Sequence, residues 1–482
     1  MRNHCLITLI VAFLLVSLSA KAQILTQKLD QVTQQFVDYN QFGGVVLVAQ
    51  KDRIIYQKSF GLANRSWNIP NTLDTRFQIG SVTKPFTAIL ALQQVARGKL
   101  ALQGKVSDYL PNYPQKTGRQ ITIHHLLSHT SGLVHYNDFP NYRRTILNKA
   151  YTTGGYLSVF KDSTLKFKPG AQFDYSSFGY YLLGVILEKV TQKSYAQLLQ
   201  EYIFSPTNMT HSSLDNGQVK AKQAIAYRYN FNWGEYGYPA YRHYSTAFST
   251  GGIFTTAGDL FKFQRYLMQG KFLPSNLQKM LFKVVKGNYA YGWLVENVTM
   301  GTQAMPLYWH DGGITGYTAN LRILPKDQSC IIVLSNTRGY KSVRLPDYLL
   351  QTLYKQPVQM KASLWKQLYP VVYNQGAKAA IALYRQLKTT SAEKYAFDNE
   401  REYRLIGHRL LRNAKTKDAQ AIFQFNLNTF PQSANMHEDL GYYYRTLNKR
   451  GKAIEFYKKA MAIEPNERRK EQLNRLLQVK PK

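Results

Sequence analysis

The sequence predicts an α+β domain followed by an all-helical tail. Strand-like segments lie near both ends of residues 25–355, with helical stretches and glycine-rich turns between them. From about residue 358 onward the pattern is helical only, and parts of it repeat. Strands at both ends of one domain favour a single antiparallel sheet that the two ends build together.

Two hairpins and one helix carry this fold prediction. The apolar run 43–49, a turn at Asp52-Arg53 and the apolar residues 54–56 predict the first hairpin. The second flanks Pro325-Lys326-Asp327, with strands over 319–324 and 330–334. Cys330 therefore lies in a predicted buried strand, where a thiol is normally a core residue. Between the hairpins, residues 87–96 form an apolar helical stretch that ends before Gly98.

Composition excludes several classes of protein. The chain has 482 residues, which is enough for two or three domains, and 44% of them are hydrophobic, as in globular proteins. Two cysteines exclude a disulfide scaffold and a multi-cysteine zinc site. The net charge of +34 is spread over both parts of the chain and suits contact with anionic cell-envelope polymers. We find no nucleic-acid-binding module, so nucleic acid is not an expected partner.

The first 22 residues have the pattern of a cleavable signal peptide. Arg2 precedes an apolar run over 5–18, and Ala20-Lys21-Ala22 provides a small-residue cleavage site before Gln23. An uncleaved membrane anchor is the alternative. Cleavage predicts an exported protein, either secreted or periplasmic, without a transmembrane segment.

The tail contains a repeat of 34 residues. Gly407, Ala419, Phe423 and Pro431 recur as Gly441, Ala453, Tyr457 and Pro465. Small residues let paired helices approach, and proline ends the second helix of each pair. This period and spacing resemble the tetratricopeptide repeat. Residues 376–390 would be the second helix of an earlier, degenerate repeat. The resemblance implies a solenoid that binds a protein partner; an unrelated helical tail is the alternative.

One serine stands out as a candidate nucleophile. Ser81-Val82-Thr83-Lys84 has the S-x-x-K spacing and lies at the start of an apolar helix, with Pro85 in its first turn. Positions i and i+3 share one helix face, so the Lys84 amine can reach the Ser81 hydroxyl and, if desolvated, accept its proton. The spacing alone is weak evidence, because a serine at a helix start is usually a cap and the motif recurs at Ser158/Lys161, Ser163/Lys166, Ser363/Lys366 and Ser391/Lys394.

Two further segments accompany this serine. Tyr175 lies in Asp174-Tyr175-Ser176-Ser177, after a predicted turn, and His310-Asp311-Gly312-Gly313 precedes the second hairpin. The order and surroundings of the three motifs resemble the serine β-lactamase and penicillin-binding-protein superfamily, most closely its class C-like branch. The resemblance extends over residues 25–355 and includes the stretches 75–81, 121–133 and 251–260. It implies an antiparallel sheet with helices against it and an all-helical region. The site would lie between the sheet and that region.

The resemblance also implies a role for each residue. Ser81 would form an acyl-enzyme, Lys84 would help to deprotonate it, and Tyr175 would act as general base and then as acid for the leaving group. Ser177, His310, Gly312 and Gly313 would contact substrate, and the amides of Ser81 and Gly313 would form the oxyanion hole. No metal or cofactor is needed. The loop His129-Thr130-Ser131-Gly132 is expected to be structural.

Two departures from the family pattern guide the functional prediction. Ser177 stands where the family's Y-x-N motif has asparagine, and His310 stands where a lysine often binds a substrate carboxylate. Both weaken the case for β-lactamase or D-alanyl-D-alanine carboxypeptidase activity, which stays a lesser alternative. We predict an exported serine hydrolase of esterase or D-amino-acid peptidase type, with a signal at 1–22, a hydrolase domain at 23–357 and repeats at 358–482. The rival hypothesis is a retired hydrolase that binds cell-wall fragments and recruits a partner.

Overall fold

The computed structural model describes residues 23–139, 141–230, 235–301, 303–338, 344–358 and 361–478. Within this part of the chain the protein folds as two compact units. The first contains the residues up to Arg228 together with Tyr238–Val358, and the second contains Tyr229–Gly237 and the residues from the C-terminal tail. The predicted signal segment, residues 1–22, lies outside the described residues.

A six-stranded antiparallel sheet organises the first unit. Its strand order is β10-β11-β12-β13-β1-β2, so the N-terminal hairpin is joined to strands from the far end of the unit. The junction is the pairing of β1 with β13, from Gly44 opposite Ser335 to Ala49 opposite Cys330. The sequence prediction of one sheet built from both ends is therefore confirmed. The six strands are β1 (Gly44–Gln50), β2 (Arg53–Phe60), β10 (Leu294–Met300), β11 (Gln303–Ile314), β12 (Tyr317–Leu324) and β13 (Ser329–Ser335).

The central strands are apolar because both of their faces are covered. Every residue of β12 and β13 is buried, and only the last residue of β1 is partly exposed. Short strands complete the β-structure: β3 (Leu62–Asn64), β4 (Ile69–Pro70), β5 (Phe77–Gln78), β6 (Ser213–Leu214), β7 (Tyr227–Asn230), β8 (Glu235–Gly237), β9 (Ile253–Thr255) and β14 (Thr337–Arg338).

Helix α2 (Thr83–Ala96) is the central helix of the first unit. Its residues from Thr83 to Gln94 are all buried, which explains why its sequence is apolar on every side. A second long and mostly buried helix, α8 (Ser177–Thr191), packs against it. The other helices of the unit are α1 (23–38), α3 (Val106–Tyr109), α4 (Gln115–Gly118), α5 (Ile123–Leu127), α6 (Tyr142–Thr145), α7 (Thr153–Leu157), α9 (Tyr195–Leu199), α10 (Phe248–Gly251), α11 (Ala257–Met268), α12 (Ser275–Leu281) and α13 (Leu345–Leu353).

The C-terminal tail is all helical, as predicted. Its helices pack in sequential pairs around their own apolar core. Two buried ion pairs join successive helix pairs: Arg404 donates to Asp439 at 2.7 Å, and Arg469 donates to Glu438 at 3.0 Å. The helices are α14 (Trp365–Gln375), α15 (Ala377–Thr390), α16 (Glu400–Arg412), α17 (Thr416–Thr429), α18 (Ala434–Thr446), α19 (Arg450–Ile463) and α20 (Glu467–Gln478).

The repeated glycines mark the closest approaches within these pairs. A Cβ atom on Gly407 would lie 2.3 Å from the Phe423 ring, and one on Gly441 would lie 3.0 Å from the Tyr457 ring. Both rings are buried, so they cannot swing away cheaply. The 34-residue spacing of glycine and aromatic residue in the sequence therefore corresponds to one helix-pair contact made twice. Among the described residues, no helix is both long and apolar enough to cross a membrane.

Replacing Gly407 by alanine tests this packing. We expect Gly407→Ala to destabilise the helical tail by about 1–3 kcal/mol, because the added methyl group overpacks the contact with Phe423. Hydrogen exchange of the full chain should show lost protection over α16 and α17. Gly451→Ala is the matched control, since its added Cβ meets no atom within 4 Å. Equal protection in both variants would contradict this account of the repeat.

Candidate active site

Ser81 lies in a tight turn between strand β5 and helix α2. The turn is a 3-10 helix over Gly80–Val82, and Gly80 has a φ of +50°, which favours glycine. The backbone of Gly313 packs directly against it, because a Cβ on Gly80 would lie 2.9 Å from the Gly313 nitrogen. Ser81 is partly exposed and lines a cleft together with Tyr175, Ser177 and Gly313.

Lys84 is fully buried beneath Ser81. Its Nζ lies 3.0 Å from Ser81 Oγ and donates to the Thr250 carbonyl oxygen, also at 3.0 Å. Within the described part of the chain, no carboxylate pairs with this amine. Burial lowers the pKa of Lys84 well below its ordinary value, and the positive charge of Arg242 lowers it further. A neutral amine in this position has a lone pair for the Ser81 proton and still donates to Thr250.

Tyr175 stands beside the same amine, just before helix α8. Lys84 Nζ lies 5.0 Å from the centre of the Tyr175 ring. Burial raises the pKa of the Tyr175 phenol, and the neighbouring Ser81 hydroxyl acts in the opposite direction. The phenol is therefore protonated at neutral pH. The arrangement places a desolvated amine, Lys84, and a protonated phenol, Tyr175, on either side of a single hydroxyl.

Ser177 and the two glycines of the β11 motif differ in their access to the cleft. Ser177 lines it as the first residue of α8, and its N–H donates to His135 Nδ1 at 3.1 Å. Gly313 is exposed and also lines it. Gly312 is buried, and a Cβ there would lie only 1.8 Å from the Ile79 carbonyl oxygen. Gly312 thus permits the contact between β11 and the Ser81 turn, although its side-chain position faces no substrate.

His310 is placed behind the cleft rather than in its lining. It is 3% exposed, its Nδ1 lies 2.7 Å from the Asp311 carbonyl oxygen, and its Nε2 lies 3.1 Å from the Tyr289 hydroxyl. A carbonyl oxygen only accepts, so Nδ1 carries the proton and Nε2 accepts from Tyr289. Burial, followed by the charge of Lys84, lowers the pKa of His310 to about 3. His310 is therefore neutral and provides no cation for substrate.

His129 is a residue of the site whose contact with Tyr175 the sequence did not reveal. It is buried, and its ring lies against Tyr175 with 4.2 Å between the ring centres. Its Nδ1 accepts the N–H of Ser176 at 3.2 Å, which ties the loop to the residue after Tyr175. This contact fits the expected structural role of the loop. No spacing in the sequence connects the two residues, because they belong to separate segments.

The residues that form the walls of the cleft were not predicted from the sequence either. Side chains from segments far apart in the chain form them, and the abundance of tyrosine, 36 residues, hid any local signal. Among the described residues that line the cleft, Arg242 contributes the only charged side chain. The other wall residues are Tyr136, Tyr156, Phe178, Tyr181, Thr246, Thr250, Gly251 and Ile314. Among the described residues, no cluster of three or more histidine, cysteine or acidic side chains is placed to hold a metal ion.

Comparison with known families agrees with this fold. The profile described as "Beta-lactamase" matches residues 29–354, which is more than half of the chain. The chain belongs to the beta-lactamase family. Penicillin-binding protein 4* of Bacillus subtilis is 28% identical over 320 residues, which cover 62% of this chain and 68% of that protein.

Solved structures of this beta-lactamase-like fold are similar to the first unit. A penicillin-binding protein from Bacillus halodurans superposes with a TM-score of 0.60 at 26% identity, covering 67% of this chain and 98% of that one. The D-amino acid amidase of Ochrobactrum anthropi SV3 superposes with a TM-score of 0.59 at 21% identity, covering 69% and 98%. The latter similarity is one of fold.

The neutral state of His310 is open to direct measurement. We expect its ring resonances, assigned by their loss in His310→Gln, not to titrate between about pH 5 and 8 in the folded chain. The folded state then binds fewer protons than the unfolded state between about pH 3 and 6.5, so this group destabilises the fold as pH falls through that range. A titration midpoint near the ordinary histidine value of about 6.5 would contradict the assignment.

Proposed function

We propose that the protein is a serine hydrolase that acts through an acyl-enzyme on Ser81, with ester or D-amino-acid amide substrates. The observation that carries the proposal is the buried Lys84 amine, which has no carboxylate partner in the described chain and lies 3.0 Å from the Ser81 hydroxyl. A structural lysine at this depth would be expected to pair with an acid, since an isolated buried charge is costly. A neutral lysine beside a partly exposed serine is instead suited to general-base catalysis.

The reaction would proceed in two proton-balanced halves. Ser81 Oγ attacks the substrate carbonyl carbon as its proton passes to Lys84, and the N–H groups of Ser81 and Gly313 stabilise the oxyanion. Tyr175 gives its proton to the leaving group and regains one from the Lys84 ammonium. Water then attacks the acyl-enzyme, and its proton returns through the same residues as Ser81 is released. Ser177 would contact the substrate, and Gly312 would keep β11 close to the Ser81 turn.

Penicillin-binding activity is the second candidate, because the relatives at 28% and 27% identity are named as penicillin-binding proteins. A β-lactam would acylate Ser81 by the same first half-reaction. The neutral, buried His310 supports the ester and amide reading over this one, since strand β11 lacks a cation at the position where the family's lysine binds a substrate carboxylate. Incubation with a fluorescent penicillin tests the second candidate, and labelling lost in Ser81→Ala would support it.

The proposal includes the place of action and the role of the tail. Residues 1–22 would be a signal peptide, so that the chain acts in the periplasm or outside the cell. The helical tail from residue 358 would be a tetratricopeptide-like module that binds a protein partner, and the preceding domain would carry the hydrolase. The repeated glycine–aromatic contact of Gly407 and Gly441 supports a repeat module. The net charge of +34 supports contact with anionic envelope polymers.

Ser81→Ala should abolish hydrolysis of a short p-nitrophenyl ester. We expect kcat/KM to fall at least about a thousandfold, because the nucleophile is removed. Ser158→Ala is the matched control, since Ser158 occupies another S-x-x-K motif but is exposed on a helix end, and its activity should be unchanged. Equal hydrolysis by the parent and Ser81→Ala would exclude the proposed nucleophile. Absence of activity in the parent would favour a binding protein.

Lys84→Arg should lower kcat by about 100-fold or more, because a guanidinium keeps its charge and cannot accept the Ser81 proton. In the parent, burial lowers the pKa of Lys84, so activity should fall as the pH decreases through that pKa and the amine becomes protonated. Initial rates measured over a pH series show this fall in activity. Lys161→Arg, in the motif that begins at Ser158, is the control. A pH profile that Lys84→Arg shares with the parent would show that Lys84 is not the base.

A further inference from the structure

The cleft beside Ser81 holds one unpaired cation. Arg242 is partly buried and contributes the only charged side chain to the lining. Within the described residues it forms no ion pair. This is unusual for the surroundings, because the wall around it is built from tyrosine and phenylalanine rings, which solvate a charge poorly. The positive charge of Arg242 acts on the Lys84 amine, where it lowers the pKa and so opposes protonation.

The guanidinium is held rigidly with its outer edge unused. Its Nε donates to Thr246 Oγ1 at 3.0 Å, and Nη2 donates to the Thr246 carbonyl oxygen. The Thr246 hydroxyl in turn donates to the His243 carbonyl oxygen at 2.8 Å, so it accepts from Arg242. Two of the five N–H groups are thereby occupied. Three N–H groups remain, two on Nη1 and one on Nη2. One from each nitrogen forms the fork that binds a carboxylate through two parallel hydrogen bonds.

The strand on the other side of the cleft provides no competing cation. His310 is neutral and bonded to Tyr289 behind the lining, and Lys84 is enclosed beneath Ser81. An anionic group on a substrate held at Ser81 would therefore find its partner only on the Arg242 side. We propose that Arg242 is the specificity-determining residue of the cleft and binds a carboxylate carried by the acyl part of the substrate. This inference rests on the proposed function, because it places the reacting carbonyl at Ser81.

A purely structural role for Arg242 makes a different prediction. If the guanidinium only anchors the loop through Thr246, its loss should weaken the binding of charged and of neutral substrates equally. If it binds a carboxylate, its loss should change the ratio of the affinity for a charged substrate to the affinity for a neutral one. The ratio is therefore the quantity to measure.

The test uses binding to a chain that cannot turn over. The Ser81→Ala protein is titrated calorimetrically with the monoanilides of succinic, glutaric and adipic acids, and with the neutral carboxamide of each. We expect the carboxylate to bind about ten- to hundredfold more tightly than its carboxamide at the best chain length, as for a charge-assisted bidentate pair. Arg242→Gln in the same background should bring the ratio close to one, and Arg242→Lys should retain part of it.

Arg119→Gln is the matched control, because it removes one positive charge from an exposed site outside the cleft lining. Its ratio of carboxylate affinity to carboxamide affinity should equal that of the Ser81→Ala protein. Circular dichroism should show that each variant is folded. A carboxylate preference that survives in Arg242→Gln would overturn the proposal. So would the absence of a preference at every chain length, including the case in which no anilide binds.

A parallel kinetic experiment separates this inference from the proposed function. The parent chain is assayed on mono-p-nitrophenyl adipate and on p-nitrophenyl hexanoate, with the uncatalysed rates subtracted. Binding that discriminates through Arg242, without hydrolysis that depends on Ser81, would uphold the carboxylate site and refute the hydrolase. Hydrolysis that depends on Ser81, without an Arg242-dependent preference for the charged ester, would uphold the hydrolase and refute the carboxylate site.

Discussion

The candidate site is built around the buried amine of Lys84. An ammonium ion removed from water without a counter-charge costs several kcal/mol, about the scale of the whole stability of a domain. Loss of the proton would avoid this cost, and the Lys84 nitrogen has hydrogen-bond partners in the Ser81 hydroxyl and the Thr250 carbonyl oxygen. Burial lowers the pKa of this amine, as the proposed role of general base requires. The surrounding helix, strand and rings serve to keep water away from it.

Backbone contacts rather than side chains hold this arrangement in register. Gly80, Gly312 and Gly313 bring strand β11 against the Ser81 turn so closely that a single Cβ at Gly312 would collide with the Ile79 carbonyl group. The strand is fixed by its pairing with β12, where Gly312 lies opposite Ala319 and Gly313 opposite Thr318. Helix α2, buried on all sides, fixes the turn from the other direction. Ser81 thus lies between two rigid elements, which the pre-organised chemistry of the proposed nucleophile would require.

Aromatic packing gives the cleft a character unlike that of the rest of the molecule. The chain as a whole carries a large excess of basic residues, yet the lining contains a single charge set among rings. His129 and Tyr289 support Tyr175 and His310 from behind, so each polar group of the site is oriented by a buried neighbour. The low polarity of these surroundings lowers the pKa of the buried histidines and of Lys84 while raising that of the tyrosine phenols.

The sequence by itself determined the features that depend on neighbouring residues. Both hairpins, helix α2 and the repeated helix pairs of the tail follow from local periodicity and turn chemistry. The Ser81–Lys84 contact follows from i and i+3 positions at a helix start. Only the tertiary structure decided that His310 lies behind the cleft, that His129 supports Tyr175, and that Arg242 enters the lining. Those outcomes depend on contacts between segments far apart in the chain, whose approach is set by packing of the whole core and leaves no periodic trace in the sequence.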